Sequence, residues 1–398
     1  MSATGLTIHG GTVVTFDPVT VEARDLHVPG GPRRLLDAGG CLVLPGLVVA
    51  HTHLYSGLAR GMPGPNGPTR NFREILERIW WRLDVALDEA TLAAGAEVAL
   101  LEALLAGATT VIDHHESPSF IDGSLDVIAE AAQRVGVRAL LCYGATDRHG
   151  EKGARAGLVE CERALRAGRS AMVGLHAGFT VHDQTLDWAA ELCRLGEAWL
   201  HVHAAEDRCD GESFVRLEEH GLIGPRTILA HGVHLTSGER ARAAAVGAWI
   251  VHNPRSNLQN AVGYADPNSI PGPTALGTDG MDGDLFTEAR VAYLAGRQAH
   301  GPLGGIDAFG LVTGSQRLGD ALLGPRPGDW IVLDYDPPTP LDAGNFPGHF
   351  LFGLGATHVR DVIVNGEVVV EGRRPTLVDR HEVMARAREQ AARLWKRL

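Results

Sequence analysis

The sequence has few lysines and few cysteines, and each shortage excludes a class of protein. Lys152 and Lys396 are the only lysines among 36 basic residues, and the formal net charge is −12. No run of Lys and Arg is present, so the electrostatic footprint of a nucleic-acid-binding protein is missing. The five cysteines are scattered and lack the C-x-x-C spacing of a zinc ribbon or a redox motif. We therefore expect reduced thiols and a cytoplasmic protein.

Long apolar runs are also lacking. The longest apolar stretch, Cys41–Ala50, contains Pro45 and Gly46 and is far too short to span a bilayer. Residues 1–4 show neither the charged region nor the apolar region of a signal peptide. We therefore expect no membrane partner. The length of 398 residues, with 44% hydrophobic and 21% charged residues, predicts a globular chain with one large and one smaller domain.

The chain does contain six short apolar runs that each lead into histidine or aspartate. Buried strands of a parallel sheet typically appear as near-continuous apolar runs. Arg138–Tyr143 and Ala248–Val251 bring the number of candidate strands to eight. The polar residues that follow the six runs are His51 and His53, Asp113 to His115, His176, His201 and His203, His231, and Asp279.

The alternation of these strands with helical patterns predicts a (β/α)8 barrel of the TIM type. Ala90–Leu105 and Leu285–Gln298 are two of the stretches with helical spacing. The two chain ends carry short strand-like runs with Gly and Pro turns, and we expect them to form a small β-sandwich domain together. The predicted organisation is residues 1–46 for the first part of the sandwich, 47–325 for the barrel, and 326–398 for the second part with a final helix.

The histidine pairs predict a metal site at the carboxyl ends of the barrel strands, where such barrels build their active sites. Side chains alternate along a strand, so His51 and His53 point the same way and could chelate one divalent ion. Taken alone, this pair could equally be two hydrogen-bonded histidines at a strand end. His201 and His203 repeat the spacing on a later strand, and Glu206 follows three residues after His203, where it could move a proton.

Two more residues complete the predicted set. His231 could be a further ligand or a base that faces a water molecule, and Asp279 lies at the end of the last strand. Three histidines and one carboxylate suit zinc with an open position for water. Since nitrogen and oxygen ligands also accept iron or manganese, the sequence leaves Fe2+ and Mn2+ possible.

These motifs resemble the amidohydrolase superfamily, in its cytosine deaminase/chlorohydrolase-like branch. Pro45-Gly46-Leu47 running into His51-Thr52-His53, His203-Ala204-Ala205-Glu206, and Gly277-Thr278-Asp279 carry the resemblance. A narrower likeness, to the SsnA-like aminohydrolases, rests on four further segments: residues 54–62, Asp113–Pro118, His252–Asn257 and Leu333–Pro338. The resemblance covers nearly the whole chain.

The resemblance implies a role for each candidate residue. His51, His53, His203 and Asp279 would bind one divalent metal ion, most simply Zn2+. Glu206 would carry the proton to the substrate, and His231 would orient the hydrolytic water with Asp279. His176 would contact the substrate, and we assign His115 with it. For His114, His115 and His201, hydrogen bonding behind the ligands is the alternative to a direct role.

The family also implies a reaction and a mode of assembly. Relatives with two metal ions bridge them with a carbamylated lysine on the fourth strand, but that strand ends at His176 here and neither lysine can take the place. The absence of this lysine favours one metal ion, and the resemblance implies a homodimer and deamination of a purine- or pteridine-like heterocycle by activated water. Two alternatives stay open: opening of a cyclic amide in a purine-derived ring, and a non-catalytic metal-binding scaffold.

Overall fold

The computed structural model describes residues 5–301 and 307–398. Residues 1–4, for which no signal peptide is predicted, lie outside the described residues. The strands are β1 (Leu6–His9), β2 (Thr12–Phe16), β3 (Val19–Ala23), β4 (Leu26–Val28), β5 (Arg34–Asp37), β6 (Leu42–Pro45), β7 (Leu47–Thr52), β8 (Ala108–His115), β9 (Arg138–Ala145), β10 (Val173–Ala177), β11 (Leu200–Ala204), β12 (Thr227–His231), β13 (Trp249–His252), β14 (Thr274–Leu276), β15 (Trp330–Leu333), β16 (Val359–Val364), β17 (Glu367–Glu371) and β18 (Arg374–Pro375).

The helices alternate with the strands through the middle of the chain. The α-helices are α1 (Phe72–Ile75), α2 (Trp81–Ala86), α3 (Glu89–Leu105), α4 (Ser124–Val135), α5 (Glu151–Arg166), α6 (Asp183–Gly196), α7 (Ser213–Glu219), α8 (Ser237–Ala245), α9 (Pro254–Gln259), α10 (Leu285–His300), α11 (Ala308–Leu323), α12 (Phe346–Phe352) and α13 (Arg380–Trp395). A π-helical turn, Leu76–Trp80, joins α1 to α2. Short 3₁₀ turns cover Leu54–Leu58, Asp147–His149, Gly178–Thr180, Arg208–Asp210, Pro267–Ser269 and Ala356–His358.

Strands β7 to β14 form one sheet in which every strand lies beside its neighbour in the chain. All of these pairings are parallel, and a bridge between Thr52 and Asp279 joins the two edges of the sheet. Every residue of β8, β10, β11 and β12 is buried, because helices cover the outside and side chains fill the inside. The prediction of a (β/α)8 barrel is confirmed.

Both chain ends contribute to two further sheets. The larger has the order β18-β17-β16-β15-β6-β2-β3, and the smaller has the order β4-β1-β5. Apolar side chains such as Ile8, Val43 and Ile363 pack together in the core that the two sheets share. Strand β6 pairs with β15, so the two ends of the chain meet there. The boundary predicted between residues 46 and 47 falls between β6 in this sheet and β7 in the barrel.

Helix α5 begins earlier than the sequence pattern suggests, because its first two turns are polar or small. The helical spacing of the sequence predicts a helix over Leu158–Ala167, but the helix starts at Glu151, and the buried positions before Leu158 are Ala154 and Gly157. Such small residues give little hydrophobic periodicity. The start of this helix was therefore predicted too late.

Helix α11 was not predicted, because glycines lower the helix propensity of its sequence. At Gly314 a Cβ atom would lie 1.9 Å from the carbonyl oxygen of Thr274. The glycine is needed so that α11 can approach β14 closely. No helix within the two described ranges has both the length and the apolar character needed to cross a membrane.

Candidate active site

The carboxyl ends of the barrel strands bring the four predicted metal ligands to one point. His51 and His53 lie at the end of β7, His203 lies on β11, and Asp279 follows β14. Asp279 Oδ1 is 2.9 Å from His53 Nε2 and 3.4 Å from His51 Nε2. His53 Nε2 is 3.1 Å from His203 Nε2. Nitrogen and oxygen donors this close together can bind a single divalent cation.

Hydrogen bonds on the far side of each ring orient the imidazoles. His53 Nδ1 donates to the carbonyl oxygen of His114 at 2.6 Å, and His203 Nδ1 donates to that of His176 at 2.5 Å. An imidazole that donates through Nδ1 keeps a lone pair on Nε2, so both rings offer Nε2 to a metal. The Nε2 atom of His51 is buried and has no hydrogen-bond partner among the described residues. An orphaned buried nitrogen of this kind fits a metal ligand.

His231 adds another nitrogen to the cluster. Among the described residues, two sets of candidate ligands have donor atoms within 4.8 Å of one another: His51, His203, His231 and Asp279, and His53, His114 and His203. His203 belongs to both sets, so the two sets surround one small volume. His231 can therefore be a ligand or can face a water bound beside the ligands, the two roles that the sequence left open.

Glu206 lies beside His231, as the predicted proton carrier should. Its Oε2 atom is 3.7 Å from His231 Nε2. Burial, followed by the nearby charges of Asp279 and Asp210, raises the pKa of Glu206 well above its ordinary value. A carboxyl group whose pKa is raised keeps its proton to higher pH and can donate it to a bound substrate.

The short helix α9 holds two of the reactive groups in place. Asn257 Oδ1 accepts the proton of His231 Nδ1 at 2.8 Å, and the Ser256 hydroxyl donates to Asp279 Oδ2. The sequence motif His252–Asn257 was recognised as part of the family resemblance, but no role was predicted for either side chain. An amide and a hydroxyl carry little information in a sequence until the fold places them beside a histidine and a carboxylate.

Three site residues have left-handed backbone conformations that favour glycine. The φ angles are 50° at Ala205, 75° at His231 and 52° at Asp279. Residues other than glycine rarely adopt these angles, which cost of order 1–3 kcal/mol and cluster at functional sites. The strained positions lie at the ends of three barrel strands that carry candidate catalytic residues.

A cavity opens over these residues. Aromatic side chains line its walls, including Trp80 and Trp81 from the π-helical turn and α2, and Phe179 after β10. The Gly and Pro residues of Met62–Pro68 predict a loop over the barrel mouth, but nothing in the sequence predicts the helical segment that follows it. The carboxyl groups that border the cavity are Asp84, Glu116, Glu206, Asp207, Asp210 and Asp279.

The two predicted substrate-binding histidines have different positions. His176 borders the cavity, as predicted for a substrate contact. His115 is fully buried and is not among the residues that line the cavity. Ser117 donates to the carbonyl of Phe120, so its hydroxyl oxygen accepts from His115 Nε2 at 2.7 Å. This bond turns His115 toward its own loop.

The other two uncertain histidines lie behind the ligands. His201 Nε2 is 2.9 Å from His51 Nδ1. His114 donates through Nε2 to the carbonyl of Leu175 at 3.0 Å, and its carbonyl receives the bond from His53. These contacts fit the alternative in which His114 and His201 orient the metal ligands.

Fold and site together define a barrel hydrolase with a metal centre at the carboxyl ends of its strands. The sequence model of the amidohydrolase family matches residues 42–313. A 5′-deoxyadenosine deaminase of Methanoregula boonei is 30% identical over 96% of this chain and 91% of its own length. A 5-methylthioadenosine/S-adenosylhomocysteine deaminase of Desulforudis audaxviator is 30% identical over 90% of this chain and 88% of its own length. The chain belongs to the amidohydrolase family, and the predicted superfamily is confirmed.

Solved structures agree with this assignment at the level of the fold. A zinc-bound adenosine deaminase of Xanthomonas campestris superposes with a TM-score of 0.85 at 22% identity, covering 98% of both chains. The zinc complex of atrazine chlorohydrolase TrzN from Arthrobacter aurescens gives a TM-score of 0.82 at 23% identity, covering 97% of this chain and all of the other. The likeness to the SsnA-like group remains a prediction.

Proposed function

We propose that this protein is a metal-dependent aminohydrolase that replaces an amino group of a nitrogen heterocycle with oxygen from water. The observation that carries the proposal is Glu206, a mostly buried carboxyl, 12% exposed, with a raised pKa next to His231 and the convergent candidate ligands. The 30% identical relatives named above are deaminases of adenosine derivatives, which supports a purine-like ring.

The residues at the strand ends fit a divalent ion. His51, His53, His203 and Asp279 would hold it, and His231 lies within reach of the same point. When bound, such an ion lowers the pKa of a coordinated water to about 7, which supplies a nucleophile at neutral pH. Zinc-bound structural neighbours support Zn2+, although these ligands also accept Fe2+ or Mn2+.

The side chains around this point supply the proton transfers. Asp279 and His231 accept or steer the proton of the attacking water. Glu206 donates its proton to the ring nitrogen, which makes the adjacent carbon electrophilic. The aromatic walls at Trp80 and Phe179 offer flat surfaces against which a planar heterocycle can pack. The proton taken from the water passes to the amino group, the bond between carbon and this nitrogen breaks, and ammonia leaves from the tetrahedral carbon.

Glu206→Gln tests this proposal directly. We expect kcat to fall by about 10²–10⁴-fold, because the amide cannot donate the proton of a carboxylic acid. The measurement is mass spectrometry of the zinc-loaded protein with a panel of purines, pyrimidines and pteridines. Asp207→Asn is the matched control, since Asp207 borders the same cavity and accepts a bond from the amide of Cys209 in its own loop.

The product mass separates the possible reactions. A product with oxygen in place of an amine supports deamination. A product heavier than the substrate by one water molecule would show that the reaction is ring opening and not deamination. Full activity of Glu206→Gln would remove Glu206 from the mechanism. A metal-loaded wild type that changes no compound in the panel would contradict the proposed substrate class.

The resident metal, the assembly and the cellular location are further parts of the proposal. We expect about one zinc ion per chain, because neither lysine lies on the fourth barrel strand, where a carbamylated lysine would bridge two ions. We also expect a homodimer. The cysteines at positions 41, 142, 161, 193 and 209 are free thiols, which supports a reducing, cytoplasmic location. Elemental analysis of the purified protein and light scattering test the first two.

A further inference from the structure

Arg255 joins the short helix α9 to two neighbouring segments of the fold. Its Nε atom donates to Glu288 Oε2 on α10. Its Nη1 atom donates to Asp282 Oδ1 at 2.7 Å, and its Nη2 atom donates to the carbonyl oxygen of Asp282 at 2.6 Å. We call Arg255, Asp282 and Glu288 the arginine clamp. None of the three is among the described residues that line the cavity, so the clamp lies outside the region that substrate would contact.

Helix α9 depends on support from outside because it is very short. A helix of six residues, Pro254–Gln259, is not stable on its own. Within the described part of the chain, its N-cap residue Asn253 gives no side-chain hydrogen bond to the helix. Glu288 takes the place of that cap, since its Oε1 atom accepts the backbone N–H of Arg255 at 2.9 Å. One carboxylate of α10 therefore caps α9 and pairs with its arginine.

The burial of Glu288 ties it to Arg255. Glu288 is fully buried, and burial raises its pKa to about 7, while the Arg255 guanidinium opposes this shift by stabilising the charged form. Removing one partner of a buried ion pair is strongly destabilising. A guanidinium presents its donors in a rigid plane, whereas a lysine is a point charge on a flexible chain. The clamp therefore fixes a direction as well as a charge.

The clamp holds both partners of a hydrogen bond at the candidate metal centre. Ser256 follows Arg255 on α9, and its hydroxyl donates to Asp279 Oδ2. Asp282 lies three residues after Asp279, on the loop that leads from this candidate ligand to α10. The backbone of Asp279 is left-handed, with a φ of 52°, a conformation that persists only where the surroundings impose it. Arg255 thus fixes α9 and the loop of Asp279 relative to each other.

We propose that Arg255 is a positioning residue of the candidate metal centre and acts on Asp279 through Ser256. The inference rests on the proposed function for its effect on turnover, but its effect on metal binding requires no turnover. Without the clamp, α9 is free to move, and Asp279 loses the hydroxyl that orients its carboxylate. Groups that orient a metal ligand typically contribute about 10–100-fold to metal affinity.

Zinc affinity tests the inference. Chelator-treated wild type, Arg255→Lys and Arg290→Lys are each titrated with zinc in competition with a chromophoric chelator. We expect Arg255→Lys to bind zinc at least about tenfold more weakly, because a lysine cannot contact Glu288 and Asp282 together in the geometry of the fork. Arg290→Lys is the matched control and should bind zinc like the wild type. Arg290 also lies on α10, but it donates to the carbonyls of Leu351 and Leu354, away from α9.

A double-mutant cycle separates positioning from general destabilisation. Ser256→Ala alone should weaken zinc binding by about 10–100-fold. In the Arg255→Lys background the same substitution should cost less than about threefold, because the arginine acts through the serine. In steady-state kinetics, Arg255→Lys should lower kcat by about 10–100-fold with KM nearly unchanged.

Three results would overturn the inference. The first is a wild-type zinc affinity in Arg255→Lys. The second is a cycle in which the losses add, since the arginine would then act independently of Ser256. The third is an equal loss in Arg290→Lys, which would mean that any disturbance of α10 weakens the metal centre. If Arg255→Lys does not fold, Glu288→Gln replaces it, because it keeps an acceptor for the Arg255 amide but loses the charge. An unchanged zinc affinity in Glu288→Gln would then contradict the clamp.

The inference and the proposed function fail in different ways. A wild type that binds zinc but changes no compound in the panel contradicts the proposed function, while the zinc titrations still decide the role of Arg255. A wild type that deaminates a compound, with equal zinc affinity in wild type and Arg255→Lys, overturns the inference alone. A wild type that binds no zinc overturns the inference together with the candidate metal centre.

Discussion

His53 and Asp279 share a proton in the absence of a metal. Burial lowers the pKa of His53, but the bond and charge of Asp279 outweigh it and raise the pKa to about 9. A metal ion at His53 Nε2 must displace this proton. Metal affinity should therefore fall by up to about tenfold for each pH unit below 9, and zinc uptake at neutral pH should release about one proton.

Calorimetry of chelator-treated protein in two buffers of different ionisation enthalpy measures this release. His252→Gln is the control, because His252 also ends a barrel strand, lies outside both ligand sets, and has a pKa lowered to about 3 by burial. Zinc uptake without proton release in the wild type would mean that His53 is neutral before the metal binds.

Asn257 accepts a hydrogen bond from His231 Nδ1, and we predict that it acts as a positioning residue for this ring. Asn257→Ala removes the acceptor for Nδ1, so the ring is free to turn and to change tautomer. We expect kcat to fall by about 10–100-fold with a much smaller change in KM. Steady-state kinetics with the substrate found in the panel measures the changes in kcat and KM separately. Asn257→Asp, which keeps an acceptor oxygen, should restore part of kcat. Gln259→Ala, on the exposed side of the same helix, is the control.

Among the elements, α3 and α13 are joined through Asp88. The Asp88 carboxylate accepts a bond from the Thr91 amide at 3.0 Å, which caps α3, and it contacts Arg393 and Arg397 at 2.5 Å. Burial raises the pKa of Asp88, but these bonds and charges have the larger effect and lower the pKa to about 2. A carboxyl with a depressed folded-state pKa stabilises the fold above its ordinary value of 3.8 and loses this contribution as pH falls through about 2.

The two functions of Asp88 can be separated by substitution. Asp88→Asn keeps a capping oxygen and should cost less than about 1 kcal/mol, since the ion pairs are partly exposed. Asp88→Ala should cost about 1–2 kcal/mol. Urea denaturation measures both, and the gap between wild type and Asp88→Asn should narrow as pH is lowered from about 5 to about 3. A gap that does not change with pH would show that the charge of Asp88 adds nothing.

The sequence predicts strands well where burial on both faces makes them continuously apolar. For strand β12, for example, the apolar run Thr227–Ala230 predicts all but the last residue of Thr227–His231, and the polar residues at the strand ends converge as expected. The segment from α1 to α2 escaped prediction because a π-helical turn interrupts its period and its aromatic residues face the cavity.

The contacts that complete the site escaped prediction for a different reason. Asn257 meets His231, and Arg148 meets Asp84, across long stretches of chain. A single amide or guanidinium has no periodicity and no spacing that marks it. The candidate metal ligands could be proposed from the sequence because pairs of histidines at strand ends follow the period of the strand, whereas their partners depend on the tertiary fold.

At the scale of the whole molecule, the buried carboxylate of Asp329 connects the barrel to the larger terminal sheet. Asp329 pairs with Arg138 at the start of β9 at 2.9 Å and accepts the amide of Asn365 at 2.8 Å. Asp329→Ala leaves Arg138 unpaired, and we expect a loss of about 3 kcal/mol. Thermal denaturation compared with Asp334→Ala checks this, because Asp334 and its partner Arg373 are at least half exposed and should contribute less than about 1 kcal/mol. Equal losses in the two variants would rule out the link.

The ligand set also has an order in time. His51 and His53 lie on β7, the first strand of the barrel, whereas Asp279 follows β14, the last. A chain emerging from the ribosome therefore presents its first two ligands long before the carboxylate that completes the set, and the bridge between Thr52 and Asp279 joins the two edges at the same place. A nascent chain should therefore bind the metal tightly only after the barrel has closed. Tight metal binding would then indicate that folding of the barrel is complete, in addition to the role of the ion in the proposed reaction.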